Sequence, residues 1–197
     1  MNIKSILTKK NIINGLFGIV FLIILLVPSA KALMMQGLME IGLFKPDTSK
    51  QESSTLSVDL STIRFKNVNG EEVNLAEFNG KVIFINFWAT WCPPCLAEMP
   101  SIDKLHKQFA TDKEVVFLMV DADGNFEKSQ AYMDRKKYKM PVFAIADNLP
   151  EAIFKGSLPT TVVFDKMGRL SYHGEGAADY SSAKFIDFIN KLKLAKN

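Results

Sequence analysis

The only two cysteines of the 197-residue chain stand at Cys92 and Cys95, with two residues between them. Positions i and i+3 of a helix are neighbours, so their Cα atoms lie close enough for a disulfide. A disulfide that closes so short a loop restricts the unfolded chain very little, and it is therefore a poor structural staple. The spacing favours a redox-active pair of cysteines.

The helix predicted from about Cys92 to Phe109 gives the two sulfurs different roles. Unpaired N–H groups and the helix dipole stabilise a thiolate at a helix N-terminus, which makes Cys92 the predicted nucleophile. Cys95 lies one turn inside the helix, is shielded from solvent, and is the predicted resolving cysteine. Pro93 and Pro94 fit the first turn, where N–H groups have no partner within the helix.

Other uses of the two cysteines are less favoured by the sequence. A metal site normally needs further ligands, and the chain has only two histidines, His106 and His173. Covalent haem attachment requires a histidine directly after the second cysteine, where Leu96 stands. Two thiolates can hold a soft ion such as Cu(I), so a copper metallochaperone stays open, as does a purely structural disulfide. The favoured redox reaction calls for no metal and no cofactor.

Apolar runs and turn signals around the pair predict an α/β fold. Strands and helices alternate first and a hairpin closes the order, which indicates a three-layer sandwich with a mixed sheet, preceded by an N-terminal hairpin. Asn69-Gly70 and Met167-Gly168 mark the two hairpin turns. The predicted strands are 81–87, 115–120, 141–145, 160–165 and 169–173; the predicted helices after the cysteines are 125–138 and 179–194, with a helical turn over 150–155.

Glu98 is a third candidate for the chemistry. At 100° per residue from Cys92, it falls at about 240°, within the arc that carries Cys95, Ile102 and Leu105. A carboxyl group on such an apolar face is costly unless it is paired or has a raised pKa. We therefore expect Glu98 to exchange protons with Cys95, one turn away, rather than to be an ordinary half-exposed glutamate.

The balance of basic and acidic residues differs between residues 1–54 and the rest of the chain. Residues 1–54 hold six lysines and three acidic residues, whereas 18 basic and 18 acidic residues follow from Leu56 onward. A balanced domain lacks the concentrated basic patch that binding to nucleic acid requires, so no nucleic-acid partner is expected.

The N-terminal segment has the pattern of an export signal. Lysines precede the apolar run Ile12–Val27, so the chain after it is expected outside the cytoplasmic membrane. The run either stays as a single-pass anchor, with residues 1–29 in the membrane, or is cleaved at Ala30-Lys31-Ala32. Residues 30–55 form a juxtamembrane segment and linker, in which Met34–Phe44 lies in the membrane interface or packs on protein. Residues 56–197 form the domain.

The segment Phe87–Cys95 (FWATWCPPC) resembles the active site of the thioredoxin superfamily. Cys95–Pro100 (CLAEMP) is similar to the membrane-tethered, extracytoplasmic TlpA/ResA/DsbE-like thiol–disulfide oxidoreductases, and the resemblance covers about Leu56 to Leu194. Asn86 departs from thioredoxin, which carries a buried aspartate there. This departure suggests that Glu98 has taken over the acid–base role.

The resemblance implies further site residues and partners. Leu158, Pro159 and Thr160 correspond to a cis-proline loop that offers backbone to an extended substrate segment. Trp91, with Pro93 and Pro94, is expected to face the substrate. The resemblance implies a reductase of partner protein disulfides, with apocytochromes or general periplasmic proteins as substrates, recharged by a membrane electron donor; the same motif also serves oxidases and isomerases.

Overall fold

The computed structural model describes residues 9–40, 44–46 and 58–194. Two helices precede the domain, and the domain alternates strands with helices around one mixed sheet. The helices are α1 (Lys9–Leu26), α2 (Pro28–Glu40), α3 (Pro93–Phe109), α4 (Phe126–Lys136) and α5 (Ala183–Leu194). The strands are β1 (Arg64–Asn67), β2 (Glu72–Asn74), β3 (Val82–Trp88), β4 (Val115–Asp121), β5 (Val142–Ile145), β6 (Thr160–Phe164) and β7 (Leu170–Glu175).

The seven strands lie in the order β2-β1-β5-β4-β3-β6-β7. β3, β4 and β5 are parallel, whereas β6 and β7 are antiparallel to their neighbours, so the predicted mixed sheet is confirmed. All seven residues of β3 are buried, as a continuous apolar run predicts for a central strand. The β1–β2 hairpin turns at Gly70, whose φ of +80° suits glycine, and its β1 strand pairs with β5.

The two faces of the sheet are covered differently. The face that carries Phe84 and Trp88 packs against α3, α4 and α5. The opposite face, with Ile83, Ile85 and Phe87, is covered by short 3-10 helices and loops instead of an α-helical third layer. These covering segments are short and contain turn residues, so they supply apolar side chains without forming long helices.

The segment before the domain packs on the helix that carries the cysteines. α2 contacts α3 along its length, and its Ala32 and Met39 are buried. Gln36 Nε2 donates a hydrogen bond of 3.2 Å to the carbonyl oxygen of Leu96. Of the two interpretations of Met34–Phe44, packing on protein is therefore the one observed for the described part of that segment.

α1 is an apolar helix with many exposed side chains, among them Leu16 and Phe17. Within residues 9–40, 44–46 and 58–194, no helix combines the length and the apolarity needed to cross a membrane. The membrane span therefore stays a prediction. Of the predicted juxtamembrane segment and linker, residues 41–43 and 47–55 lie outside the described part of the chain, as do the first two residues of the predicted domain.

Candidate active site

The cysteine pair lies where the buried strand β3 gives way to α3. Cys92 is the N-cap residue, with extended backbone angles (φ −88°, ψ 103°), and its Sγ accepts a hydrogen bond of 3.3 Å from the backbone N–H of Cys95. The two residues form a disulfide, and their Cα atoms are 5.3 Å apart. Pro93 occupies the first helical position, as predicted. The helix therefore aims an otherwise unpaired N–H group at the Cys92 sulfur.

Both sulfurs are shielded from water. Cys92 retains 3% of its exposure and Cys95 none. Of the two residues, Cys95 is the more deeply buried, and the order of attack stays a prediction. Cys95 lies in the same apolar cluster as Trp88 and Met99.

Glu98 is fully buried one turn beyond Cys95, as the helical arc predicts. Its Oε1 accepts a hydrogen bond of 2.7 Å from Asn86 Nδ2, and its Oε2 accepts one of 3.2 Å from the backbone N–H of Ala178. Asn86 Nδ2 also donates to Thr161 Oγ1 at 2.9 Å. Residues from β3, α3, β6 and the loop before α5 thus meet around one carboxyl group.

Burial raises the pKa of Glu98 to about 8, and the hydrogen bonds from Asn86 and Ala178 offset only part of that rise. An ordinary glutamate is ionised at neutral pH, whereas Glu98 is mostly protonated there and titrates close to it. Such a group can both give and take a proton at physiological pH. Along α3, this group lies one helical turn beyond Cys95.

The proline loop lies at the same edge of the sheet as the cysteines. The Leu158–Pro159 bond is cis, as the resemblance implied. Thr160, the first residue of β6, pairs with Phe87 near the end of β3, so the loop adjoins the start of the CPPC segment. Thr160 Oγ1 donates to the carbonyl of Ser157 at 2.8 Å, which fixes the loop backbone.

Trp88 and Trp91 differ in their exposure to solvent. Trp88 is fully buried, whereas the Trp91 side chain is 60% exposed. Trp91 Nε1 donates a hydrogen bond of 2.5 Å to Asp123 Oδ2. Asp123 was not predicted as a site residue, although its position two residues after β4 was an available signal, since parallel strands bring their carboxyl ends to one edge of a sheet.

His106 lies along α3 away from the cysteines, with its ring 5.1 Å from that of Phe117, and burial lowers its pKa. His173 lies on β7. Neither histidine joins the cysteines, and in the described ranges no three Cys, His, Asp or Glu side chains stand together as metal ligands. The grouped residues are instead the disulfide, Glu98 and the proline loop.

A mixed sheet with a CPPC disulfide at a helix N-terminus and an adjacent cis-proline loop defines a thioredoxin-like oxidoreductase fold. Residues 52–185 match the Redoxin family model. The chain belongs to the Redoxin family and, within it, to the thiol–disulfide oxidoreductases similar to ResA.

Three relatives support this assignment. The chain is 28% identical over 170 residues to the thiol–disulfide oxidoreductase ResA of Bacillus cereus, covering 81% of this chain and 91% of that protein. It is 30% identical over 126 residues to ResA of Halalkalibacterium halodurans, covering 63% and 71%. A crystal structure of a putative thiol–disulfide oxidoreductase from Bacteroides vulgatus aligns with a TM-score of 0.59 at 30% identity, covering 73% and 99%.

Proposed function

We propose that this thiol–disulfide oxidoreductase reduces disulfides of partner proteins outside the cytoplasmic membrane, with Cys92 as nucleophile, Cys95 as resolving cysteine and Glu98 as acid–base group. One observation carries the proposal. A buried carboxyl group that titrates near pH 8 lies one helical turn from the buried Cys95, and Cys92 caps the same helix.

The reaction begins with both cysteines reduced. The Cys92 thiolate attacks one sulfur of a partner disulfide, a Cys92–partner bond forms, and the other partner sulfur leaves with the electron pair and takes a proton. Glu98 as carboxylate then accepts the proton of Cys95. The Cys95 thiolate attacks Cys92 Sγ, which forms the Cys92–Cys95 disulfide and breaks the Cys92–partner bond; the second partner sulfur leaves with the electron pair and takes a proton, which the protonated Glu98 can return. Two electrons have passed to the partner.

Burial supports the reducing direction. Strong oxidants of this chemistry owe their potential to a stabilised reduced form, in which the thiolate is favoured. Here both sulfurs are nearly or wholly removed from water, and a carboxyl group lies one turn away. Desolvation disfavours a thiolate and so opposes the stabilisation that the helix N-terminus gives to Cys92, which makes the reduced form less favoured and readier to give up electrons. An exported reductant must be recharged, and a membrane electron donor fits that need.

The N-terminal helix supports a location at the membrane. Lys4 precedes α1 and Lys9 and Lys10 are its first residues, and exposed apolar side chains such as Phe17, Phe21 and Leu26 need a cover other than water. We propose that α1 holds the domain at the outer face of the cytoplasmic membrane, within reach of its electron donor. Removal of the segment by signal cleavage at Ala30-Lys31-Ala32 is the alternative, and the mass of the mature protein distinguishes the two.

Replacing the resolving cysteine tests the mechanism. In the reduced full-length chain, Cys95→Ser leaves Cys92 able to attack but removes the group that releases the partner. A model disulfide peptide should then stay attached, seen as a mass increase that dithiothreitol reverses. Cys92→Ser is the matched control and should form no adduct. Absence of an adduct on Cys95→Ser, or adducts on both variants, would overturn the assigned roles.

A further inference from the structure

An open groove runs beside the disulfide, between α2 and α4. Its volume is about 580 Å³. We call it the α2–α4 groove, and its walls are Ala32, Leu33, Gln36, Thr90, Trp91, Leu96, Tyr132, Arg135 and Lys136. Thr90, Trp91 and Leu96 flank the CPPC segment in the sequence, so the groove adjoins the segment that carries the reactive cysteines.

The apolar part of the groove is well ordered for binding. Trp91 is 60% exposed, yet its indole Nε1 is held by Asp123 at 2.5 Å. Leu33 on the facing helix is 69% exposed. The hydrogen bond from Gln36 to the Leu96 carbonyl joins α2 to α3 at the base of the groove. Fixed aromatic and aliphatic side chains of this kind anchor partner segments at low entropic cost.

The ionised side chains that line the groove carry only positive charge. They are Arg135 and Lys136, and no carboxylate is among the walls of the groove. The Arg135 guanidinium carbon lies 5.5 Å from the centre of the Tyr132 ring, which holds the cation near the groove. The nearby Asp123 already accepts from Trp91. An occupant with negative charge complements this wall.

We propose that the α2–α4 groove binds the polypeptide segment next to the reacting cysteine of the redox partner, and that this segment carries an Asp or Glu that pairs with Arg135 and Lys136. The inference rests on the proposed function, because it names the partner that the thiol–disulfide exchange would select. The occupant is a protein segment rather than a small molecule, since the groove is open and its walls include Thr90 and Trp91, which directly precede Cys92 in the chain.

Two synthetic disulfide peptides test the groove directly. One carries two Glu residues beside a cysteine, the other carries Gln at the same positions, and both react with the reduced full-length protein in detergent. The second-order rate constant should be at least about fivefold higher for the Glu peptide at low ionic strength. This preference should shrink in 0.5 M NaCl, because salt screens exposed charge pairs.

Variants that change the charge of the groove test whether Arg135 and Lys136 cause the preference for the Glu peptide. Arg135→Gln combined with Lys136→Gln should lower the rate for the Glu peptide to that for the Gln peptide. Arg135→Glu combined with Lys136→Glu should reverse the order, so that a peptide with Lys at those positions reacts fastest. Lys66→Gln combined with Lys113→Gln removes the same charge from exposed sites outside the groove and should keep the original preference.

The outcomes separate this inference from the proposed function. If neither peptide exchanges with the protein, the proposed function itself fails. If both peptides exchange at equal rates, the acidic partner is wrong while the oxidoreductase stands. A preference for the Glu peptide that survives the groove variants, or that the control variant also loses, places the recognition elsewhere and overturns the inference.

Discussion

Asn86 Nδ2 lies 2.7 Å from Glu98 Oε1 and donates a hydrogen bond to it in the interior of the protein. Both side chains are fully buried. The resemblance to thioredoxin implies that the amide occupies the strand position at which thioredoxin carries a buried aspartate. An amide cannot titrate, so at this point the two residues supply one ionisable group rather than two. Compared with thioredoxin, the buried acid therefore lies on α3, one turn from Cys95, instead of on β3.

The raised pKa of Glu98 predicts a pH-dependent stability. The unfolded chain releases the proton near pH 4.5, whereas the folded chain keeps it up to about pH 8. The contribution of Glu98 is thus complete below pH 4.5 and is lost as the pH rises through 8, at up to about 1.4 kcal/mol per pH unit. In Glu98→Gln this loss should be absent. Urea unfolding of the oxidised proteins between pH 5 and 8 measures it.

The comparison uses the difference between the two unfolding free energies at each pH, because other groups contribute equally to both proteins. The stability of the wild type should fall relative to Glu98→Gln across this range. Two curves that stay parallel would show that Glu98 titrates normally.

The hydrogen bond from Asn86 lowers the pKa of Glu98, so its loss should raise that pKa. Asn86→Leu keeps a similar volume but cannot donate, and the titration midpoint of the Glu98 carboxyl carbon should move above about 8 in NMR spectra. Thr161→Val serves as a control, since it removes the other acceptor of Asn86 and leaves the donor to Glu98 in place. An unchanged or lower midpoint in Asn86→Leu would contradict the network.

The cap position of Cys92 predicts unequal thiol reactivity. In the reduced protein at pH 7, iodoacetamide should modify Cys92 at least about tenfold faster than Cys95, because the helix N-terminus favours its thiolate and Cys95 is fully buried. Peptide mass mapping of samples quenched at early times distinguishes the two sites. Equal modification of both, or earlier modification of Cys95, would reverse the assignment of nucleophile and resolving thiol.

The packing of α2 on α3 predicts a site-specific effect of charge. Ala32→Glu places a carboxylate at a buried contact, which costs several kcal/mol unless α2 moves away. Amide hydrogen exchange within α2 should then rise at least about tenfold. Met34→Glu adds the same charge on the same helix at a side chain that is 50% exposed, and should leave the exchange nearly unchanged. Equal effects of the two variants would mean that α2 does not depend on this contact.

Local sequence patterns predicted most of the domain. The apolar run of β3 and the turn signals at Asn69-Gly70 and Met167-Gly168 are short-range features, and the observed strands follow them within one or two residues. The burial of Glu98 was also predictable, because it depends on the phase of one helix. The predicted helix over 179–194 begins later, at Ala183, because the residues before it hold Glu98 and Ser101 by backbone hydrogen bonds.

Contacts between distant segments of the chain could not be predicted from local sequence patterns. The bond from Trp91 to Asp123 spans 32 residues, and that from Gln36 to Leu96 spans 60. Both depend on how elements are arranged in space rather than on local periodicity. The covering of the second sheet face by 3-10 helices and loops was missed for the same reason, since short apolar segments carry no helical period of their own.

The reduction potential of the Cys92–Cys95 pair tests the central claim most directly. The full-length protein is equilibrated in detergent with defined ratios of reduced and oxidised dithiothreitol or glutathione, and the fraction of disulfide is read by trapping free thiols. A protein-disulfide reductase should show a potential at or below about −270 mV, the value of thioredoxin. A potential near about −120 mV, as in a strong disulfide donor, would contradict the proposed direction of electron flow.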